Sequence, residues 1–332
     1  MNPAYLLAAA VLDLPWTTLW VDGGAGPIAS RLSTGIRRGL RRAVSRRSRL
    51  LSLSGPLILV VTLLVWVGLI WASWTLLFVG GETALIGTRD GGPVTRSGRG
   101  RYVAYTMFTD GNGDFTPNGA ARQIASTFTT ASGMLFVTFA VPCVLSIFGA
   151  VSDKRSFAKD VTSLGDRGGA VVRTGWNGQE FHGLKLSLHG LASDLNAPAE
   201  QHKSYLILHY YHSEEAADSS VRAVAVLDEA LLPFETAVDG EPRPARALLR
   251  SARSSTADYL TTLNAAFVEP AEETPPPPDL RRLRDAGVPV APDGAFADAV
   301  AERDDRRRKL LGDVRADARE WPAADERERG IA

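Results

Sequence analysis

The residues best placed to do chemistry lie in the stretch FTDGNGDFTP, Phe108 to Pro117, where Asp110, Asn112 and Asp114 alternate. That spacing puts oxygen ligands at positions 1, 3 and 5 of a calcium loop. Such a loop also needs Gly at position 6 and an acid at position 12, and the sequence has Phe115 and Ala121 there. A second cluster is formed by the five histidines, which all fall between His182 and His212. His202 and His209 are seven apart and would share a helix face; His209 and His212 are three apart and would be neighbours. With Glu200, Glu214 and Glu215 nearby, this group could hold a metal or sense protons. The same residues also suit helices packed through amphipathic faces with their polar tips in water. Cys143 is the single cysteine, so an intrachain disulfide or a cysteine metal site is excluded. No nucleophile–base arrangement can be defended from spacing, so the expectation is a protein that is not an enzyme and uses no cofactor.

The elements around Phe108–Pro117 are apolar. Leu50 to Gly81 carries no charged residue over 32 positions, and Gln123 to Ser152 is a second uncharged run of 30. Each exceeds the roughly 20 helical residues that cross a hydrocarbon core. Trp66, Trp71 and Trp74 suit the first run, the later ones near a membrane interface. The alternative for either run is a helix buried in a soluble core. A third stretch, Pro3 to Val21, is apolar but holds Asp13 and Pro15, and no Lys or Arg precedes it as in a signal peptide. It reads as an additional N-terminal span, or as a helix lying in the interface.

The net charge is zero, yet eight arginines and no acid lie between Arg31 and Arg49. Short cytoplasmic loops carry the excess of Lys and Arg. The cluster therefore reads as internal and as a site for anionic headgroups, rather than a nucleic-acid patch. The first long run then leads outward and the second returns. Residues 81–122 face outside and residues 153–332 are cytoplasmic, in a protein of the cell inner membrane.

With this context, Thr109, Gly111, Gly113, Asp114, Thr116 and Pro117 stand where the potassium-channel filter T-x-G-x-G-D-x-T-P places its residues. Over about residues 55–151 the chain resembles the two-span, pore-loop unit of the potassium-channel family, particularly its bacterial members. The resemblance implies a homotetramer around one pore, since each chain supplies a single filter. It implies that the backbone carbonyls of Thr109, Asp110, Gly111, Asn112 and Gly113 replace the water around a permeant K+. Asp114 would lie at the outer mouth, and Gly133 or Pro142 would let the inner helix bend. Two positions depart from the pattern: Asp110 replaces the usual Val and Asn112 the usual Tyr, both of which point behind the filter. Asp110 would then be partly buried and need a donor such as Tyr105 or Thr106, or a proton. Losing the aromatic at position 112 implies weaker discrimination of potassium from sodium.

The expected fold is thus an all-α membrane protein. An N-terminal span (1–27) and a basic linker (28–54) precede a pore domain at 55–152, with outer helix 55–80, pore helix and filter 98–117, and inner helix 123–152. A helical cytoplasmic domain (153–268) follows. Then come a proline-rich linker, EPAEETPPPPD, and a charged tail (269–332) in which Phe296 to Arg319 reads as a polar, solvated helix. Within the helical domain, SSVRAVAVLDEALLPFETAV is a helix with apolar Val221, Val224, Ala225, Leu227, Leu231 and Leu232. No G-x-G-x-x-G element supports nucleotide binding. The functional expectation is passive conduction of K+ or monovalent cations; the alternative is a non-conducting membrane scaffold or sensor that works through its cytoplasmic part.

Overall fold

The computed structural model describes residues 2–20, 25–43, 52–111, 113–238, 240, 242–264 and 268–322. The chain forms two compact units: Met1–Ala43 with Pro56–Ile147, and Val44–Gly55 with Phe148–Ala332.

The first unit begins with α1 (Pro3–Leu19) and α2 (Pro27–Ala43). In α2 Ile28, Leu32 and Ile36 recur every four residues between arginines, the pattern of a helix that lies along a boundary. Asp13 explains how α1 tolerates an acid. It is only 2% exposed. Its carboxylate accepts bonds from the N–H groups of Ile28 at 2.7 Å and Ala29 at 3.3 Å, in the open first turn of α2, and from the indole of Trp66 at 2.8 Å. A Cβ at Gly26 would collide with this carboxylate, so glycine is needed where the chain turns into α2.

Next come α3 (Ser54–Val79), β1 (Leu85–Gly87), α4 (Arg96–Met107), β2 (Phe115–Pro117) and α5 (Ala120–Leu164). Among the described residues, α3 and α5 are the helices long and apolar enough to cross a membrane. The expected 3–21 span appears as a helix of 17 residues ending at Leu19. Both long helices leave large apolar side chains uncovered, such as Val60, Leu64 and Leu76 on α3 and Phe128, Val141, Leu145 and Phe148 on α5. A surface this apolar needs lipid or another chain against it. The two strands pair antiparallel, with Leu85 opposite Pro117, Ile86 opposite Thr116 and Gly87 opposite Phe115. The all-α expectation missed this sheet; strands of three residues are too short to display alternation.

The second unit holds α6 (Gly168–Gly175), α7 (His182–Ser204), α8 (Ser220–Thr236), α9 (Arg246–Asn264), α10 (Leu280–Asp285), α11 (Asp293–Ala301) and α12 (Asp304–Ala316) around one core. α8 is its axis and is buried on every side from Ser220 to Phe234, its acids Asp228 and Glu229 included. Arg306 and Arg253 reach Asp228 at 2.6 and 2.7 Å. Arg307, 1% exposed, bonds both oxygens of Glu229 at 2.8 and 3.1 Å and also donates to the carbonyls of Pro275 and Pro276. Burial would raise Asp228, but the two guanidinium groups outweigh it and hold the carboxyl below its usual range.

These contacts correct three expectations. Phe296 to Arg319 is not one solvated helix but α11 and α12, and the ERDDRRRK run carries the partners of buried acids. The proline-rich segment is packed, with Ala271 buried and its N–H donating to Arg308, so residues 269–322 belong to the same core as the preceding helices. The division between units falls at 147/148 rather than 152/153.

Candidate functional site

The loop after α4 carries Thr109, Asp110, Gly111 and Gly113; Asn112 lies outside the described residues. The loop's position depends on how α4 is mounted. Thr95 caps the helix by accepting from the N–H of Gly98 at 3.2 Å. Arg99 is buried and turned back onto the end of α3, where it donates to the carbonyls of Val79 at 3.0 Å and Glu82 at 2.6 Å, and to Val94 at 3.1 Å. It thus occupies carbonyls that the last turn of α3 leaves without helical partners. The indole of Trp71 donates to the carbonyl of Gly100 at 3.0 Å. Tyr102 stacks edge-on to Phe78 with ring centroids 5.3 Å apart, and its hydroxyl meets that of Ser126 on α5.

The far end of α4 rests on α5. Thr130 Oγ1 donates to the carbonyl of Thr106 at 3.2 Å, and a Cβ at Gly133 would overlap the carbonyl oxygen of Met107. Gly133 is therefore required by close packing, and α5 runs unbroken through both Gly133 and Pro142.

The loop backbone is unusual. Thr109, Gly111 and Gly113 have φ of 62°, 59° and 75°, whereas Asp110 between the first two does not take a positive φ. A positive φ is rare for a β-branched residue and costs on the order of 1–3 kcal/mol, so surrounding structure must enforce it. Here the N–H groups of Thr109 and Asp110 are fixed to the carbonyls of Thr106 at 3.2 Å and Tyr105 at 2.9 Å. At the loop's end, β2 is held by β1, Thr88 Oγ1 donates to the Gly113 carbonyl at 2.8 Å, and the Thr88 N–H donates to the Asp114 carbonyl at 2.9 Å. Asp114 pairs with Arg101 at 3.3 Å.

Asp110 differs from expectation. It is exposed, and among the described residues no group donates to its carboxylate; the contact with Tyr105 uses the Asp110 backbone instead. Thr109, Asp110, Gly111 and Gly113 are all exposed in the single chain, and among the described residues nothing encloses the side chain. Arg99, Gly133 in its packing role and Thr88 were not found by sequence reasoning. A buried arginine whose partners are backbone carbonyls leaves no pattern in the sequence.

The histidines do not share a helix face. α7 ends at Ser204, and His209 lies in the separate 3-10 turn Leu206–Tyr210. His202, His209 and His212 nevertheless line one small cavity together with Lys154, Asp313 and Asp317. Among the described residues, no three His, Cys, Asp or Glu are grouped so as to hold a metal ion, so the alternative of a metal at His209 and His212 has no geometric support.

No protein-family model matches the chain, and no solved structure matches it. The chain is 39% identical over 332 residues to a protein of Bacillus subtilis (strain 168) described as "Uncharacterized membrane protein YdjJ", with 98% of this chain and 97% of that protein covered.

Proposed function

The chain belongs to the family of that Bacillus subtilis membrane protein and is itself a membrane protein with helical spans, and from this premise we propose that it is the subunit of a pore-loop cation channel. Four copies would surround one pore through which K+ or monovalent cations pass passively. The observation that carries the reading is the positive φ of Thr109, Gly111 and Gly113, strained at Thr109, in a loop set between two apolar helices by a short, firmly mounted helix. Carbonyls brought together from four chains would replace the ion's hydration shell. The face of the loop left open in one chain is the face that the other copies would enclose, and the uncovered apolar side chains of α5 would divide between lipid and neighbours.

In this reading Asp114 sits near the outer mouth, where a carboxylate raises the local cation concentration. Gly133 is a fixed bearing for α4. Pro142, which lacks an N–H for the α5 ladder, is the place for the inner helix to bend. The arginines of 31–49 would rest against anionic headgroups on the cytoplasmic side, with the second unit in the cytoplasm of the cell.

The test is flux of K+ and Na+ from liposomes holding the purified protein under imposed gradients. Cation flux that vanishes in Gly111→Val is the expected result; a β-branched residue at φ near +59° would add a second strained position next to that of Thr109. Asn112→Tyr should sharpen K+ over Na+ by about tenfold or more, corresponding to about 1.4 kcal/mol. A specific observation favours the second reading, a non-conducting scaffold or sensor: the Gly113 carbonyl is already engaged by Thr88. Absence of flux across pH, calcium and anionic lipid, from a protein that remains folded, would select it.

A further inference from the structure

Apart from the loop of residues 109–113, the second unit encloses a polar cavity. Asp313 of α12 lines it, is 3% exposed, and both its carboxyl oxygens are buried without a partner among the described residues. An ionised carboxylate in such a place is costly, because nothing there donates to it. The groups that face the cavity come from every element around it. α5 supplies Lys154, which burial lowers to about 8, with Asp317 opposing that shift and Arg155 adding to it. α7 supplies the buried His202, with Nδ1 3.0 Å from the carbonyl of Pro198. The 3-10 turn and the following loop supply His209, Tyr211 and His212. Behind the lining, Tyr259 of α9 meets the His202 ring edge-on with centroids 5.4 Å apart, and its hydroxyl meets that of Ser220 at 2.9 Å. α12 also ends close to Asp317, which accepts from His212 Nδ1 and from Ser219 Oγ, both at 2.6 Å.

The loop above this cavity is held from both sides by the ends of the apolar helices. Lys154, on the extension of α5, donates to the carbonyls of Leu208 at 3.1 Å and Tyr211 at 3.4 Å. Ser54, at the start of α3, donates to the carbonyl of Tyr210 at 2.7 Å, and Ser52 donates to Glu214 at 3.2 Å. Gly55 lies so close to the Tyr211 ring that a Cβ would overlap it. All these residues belong to the second unit.

We propose that this cavity is a proton-operated latch: a proton on the Asp313 carboxyl keeps the loop of residues 208–214 clamped to the ends of α3 and α5, and loss of that proton releases it. Ionisation places an unpaired charge beneath the loop, and the charge is relieved when water enters and the clamp opens. Burial pushes Asp313 up to about 8, so release falls just above neutral pH. Burial and the Lys154 charge keep His202 well below its ordinary value and therefore neutral. Burial alone would raise Asp317, but the bond from His212 leads the contributions that lower it, and it stays ionised.

The latch is independent of what the membrane helices conduct, and so is its test. A nitroxide placed at the exposed position 215 (Glu215→Cys in a Cys143→Ala background) reports loop mobility in the full-length protein in lipid nanodiscs. Between about pH 6.5 and pH 9 the mobile fraction should rise severalfold, with its midpoint near the Asp313 value. Asp313→Asn should remove the rise. If that variant does not fold, Asp313→Ser, also unable to ionise, serves in its place. A flat profile in the parent overturns the proposal. So does a rise that persists in the Asp313 variants, or one abolished by Lys154→Met and kept by Asp313→Asn.

Discussion

At the scale of single residues, two buried acids differ in their surroundings: one has donors and the other has none among the described residues. Asp13 gathers two backbone N–H groups and the Trp66 indole, so its carboxylate ties α1, α2 and α3 together. Truncation to Ala leaves those three donors without an acceptor, at roughly 1–3 kcal/mol for a group stranded in this way. Asp13→Ala is therefore expected to lower the melting temperature in detergent and to shift Trp66 emission. An unchanged melt would mean that water replaces the carboxylate. Asp313 is the converse. Its proton is retained in the folded chain up to about pH 8, whereas the unfolded chain releases it near the ordinary value of 3.8. Between those limits the unfolded state binds fewer protons, so stability falls as pH rises, then levels above about 8. Asp313→Asn removes this slope. The melting temperature of the variant relative to the parent should thus climb by on the order of 5 °C from about pH 5 to pH 8. A constant difference across that range would show that Asp313 titrates normally.

At the scale of elements, the mounting of α4 fixes the strained loop. Arg99 anchors its first turn to the end of α3, and Thr130 and Gly133 receive its last. Arg99→Lys keeps the charge but loses the planar fork that serves several carbonyls at once. Under the channel reading proposed above, the expectation is normal membrane insertion with cation flux reduced about tenfold or more, since the apolar helices that insert are untouched while the loop loses its support. Flux equal to the parent would show that α4 is held by its aromatic contacts alone. The same elements show what a sequence can reveal. α3 and α5 were legible because an uncharged run needs no tertiary context to be apolar. The alternating glycines of 109–113 were legible because a positive φ selects for Gly. Thr109, which takes a similar φ at a cost the glycines do not bear, was not, since its letter argues against that conformation. Arg99 and the β1–β2 pair were hidden for a different reason. Their partners are backbone groups, or strands too short to show a period.

At the scale of the whole molecule, the question is where the second unit ends. Charge density alone makes residues 269–332 a detachable tail, because ERDDRRRK looks like a solvated face. The structure makes α12 the counter-charge of the core: Arg306 and Arg307 reach acids 78 positions earlier in the chain, on a helix buried all round. Arg303 adds a bond to Glu235 at 2.9 Å, beside Arg253 at the same distance. Removing one partner of a buried pair costs roughly 3–5 kcal/mol, because the charge left behind has neither water nor counter-ion. Stopping the chain after residue 268 strands Glu229 and weakens Asp228 and Glu235 together. It also exposes the apolar surface that Leu310, Leu311 and Val314 cover. That combined loss approaches the whole stability of an ordinary domain, about 5–15 kcal/mol. The truncated protein should therefore yield a second unit that proteases digest rapidly, while α3 and α5 still insert in the membrane. Arg307→Met should show a milder form of the same lesion, and the pair Glu229→Leu with Arg307→Met should recover much of it, since two matched apolar groups leave no orphaned charge. Protease resistance of the 1–268 chain equal to that of the full chain would restore the tail as a separate element and leave the buried arginines without a structural purpose.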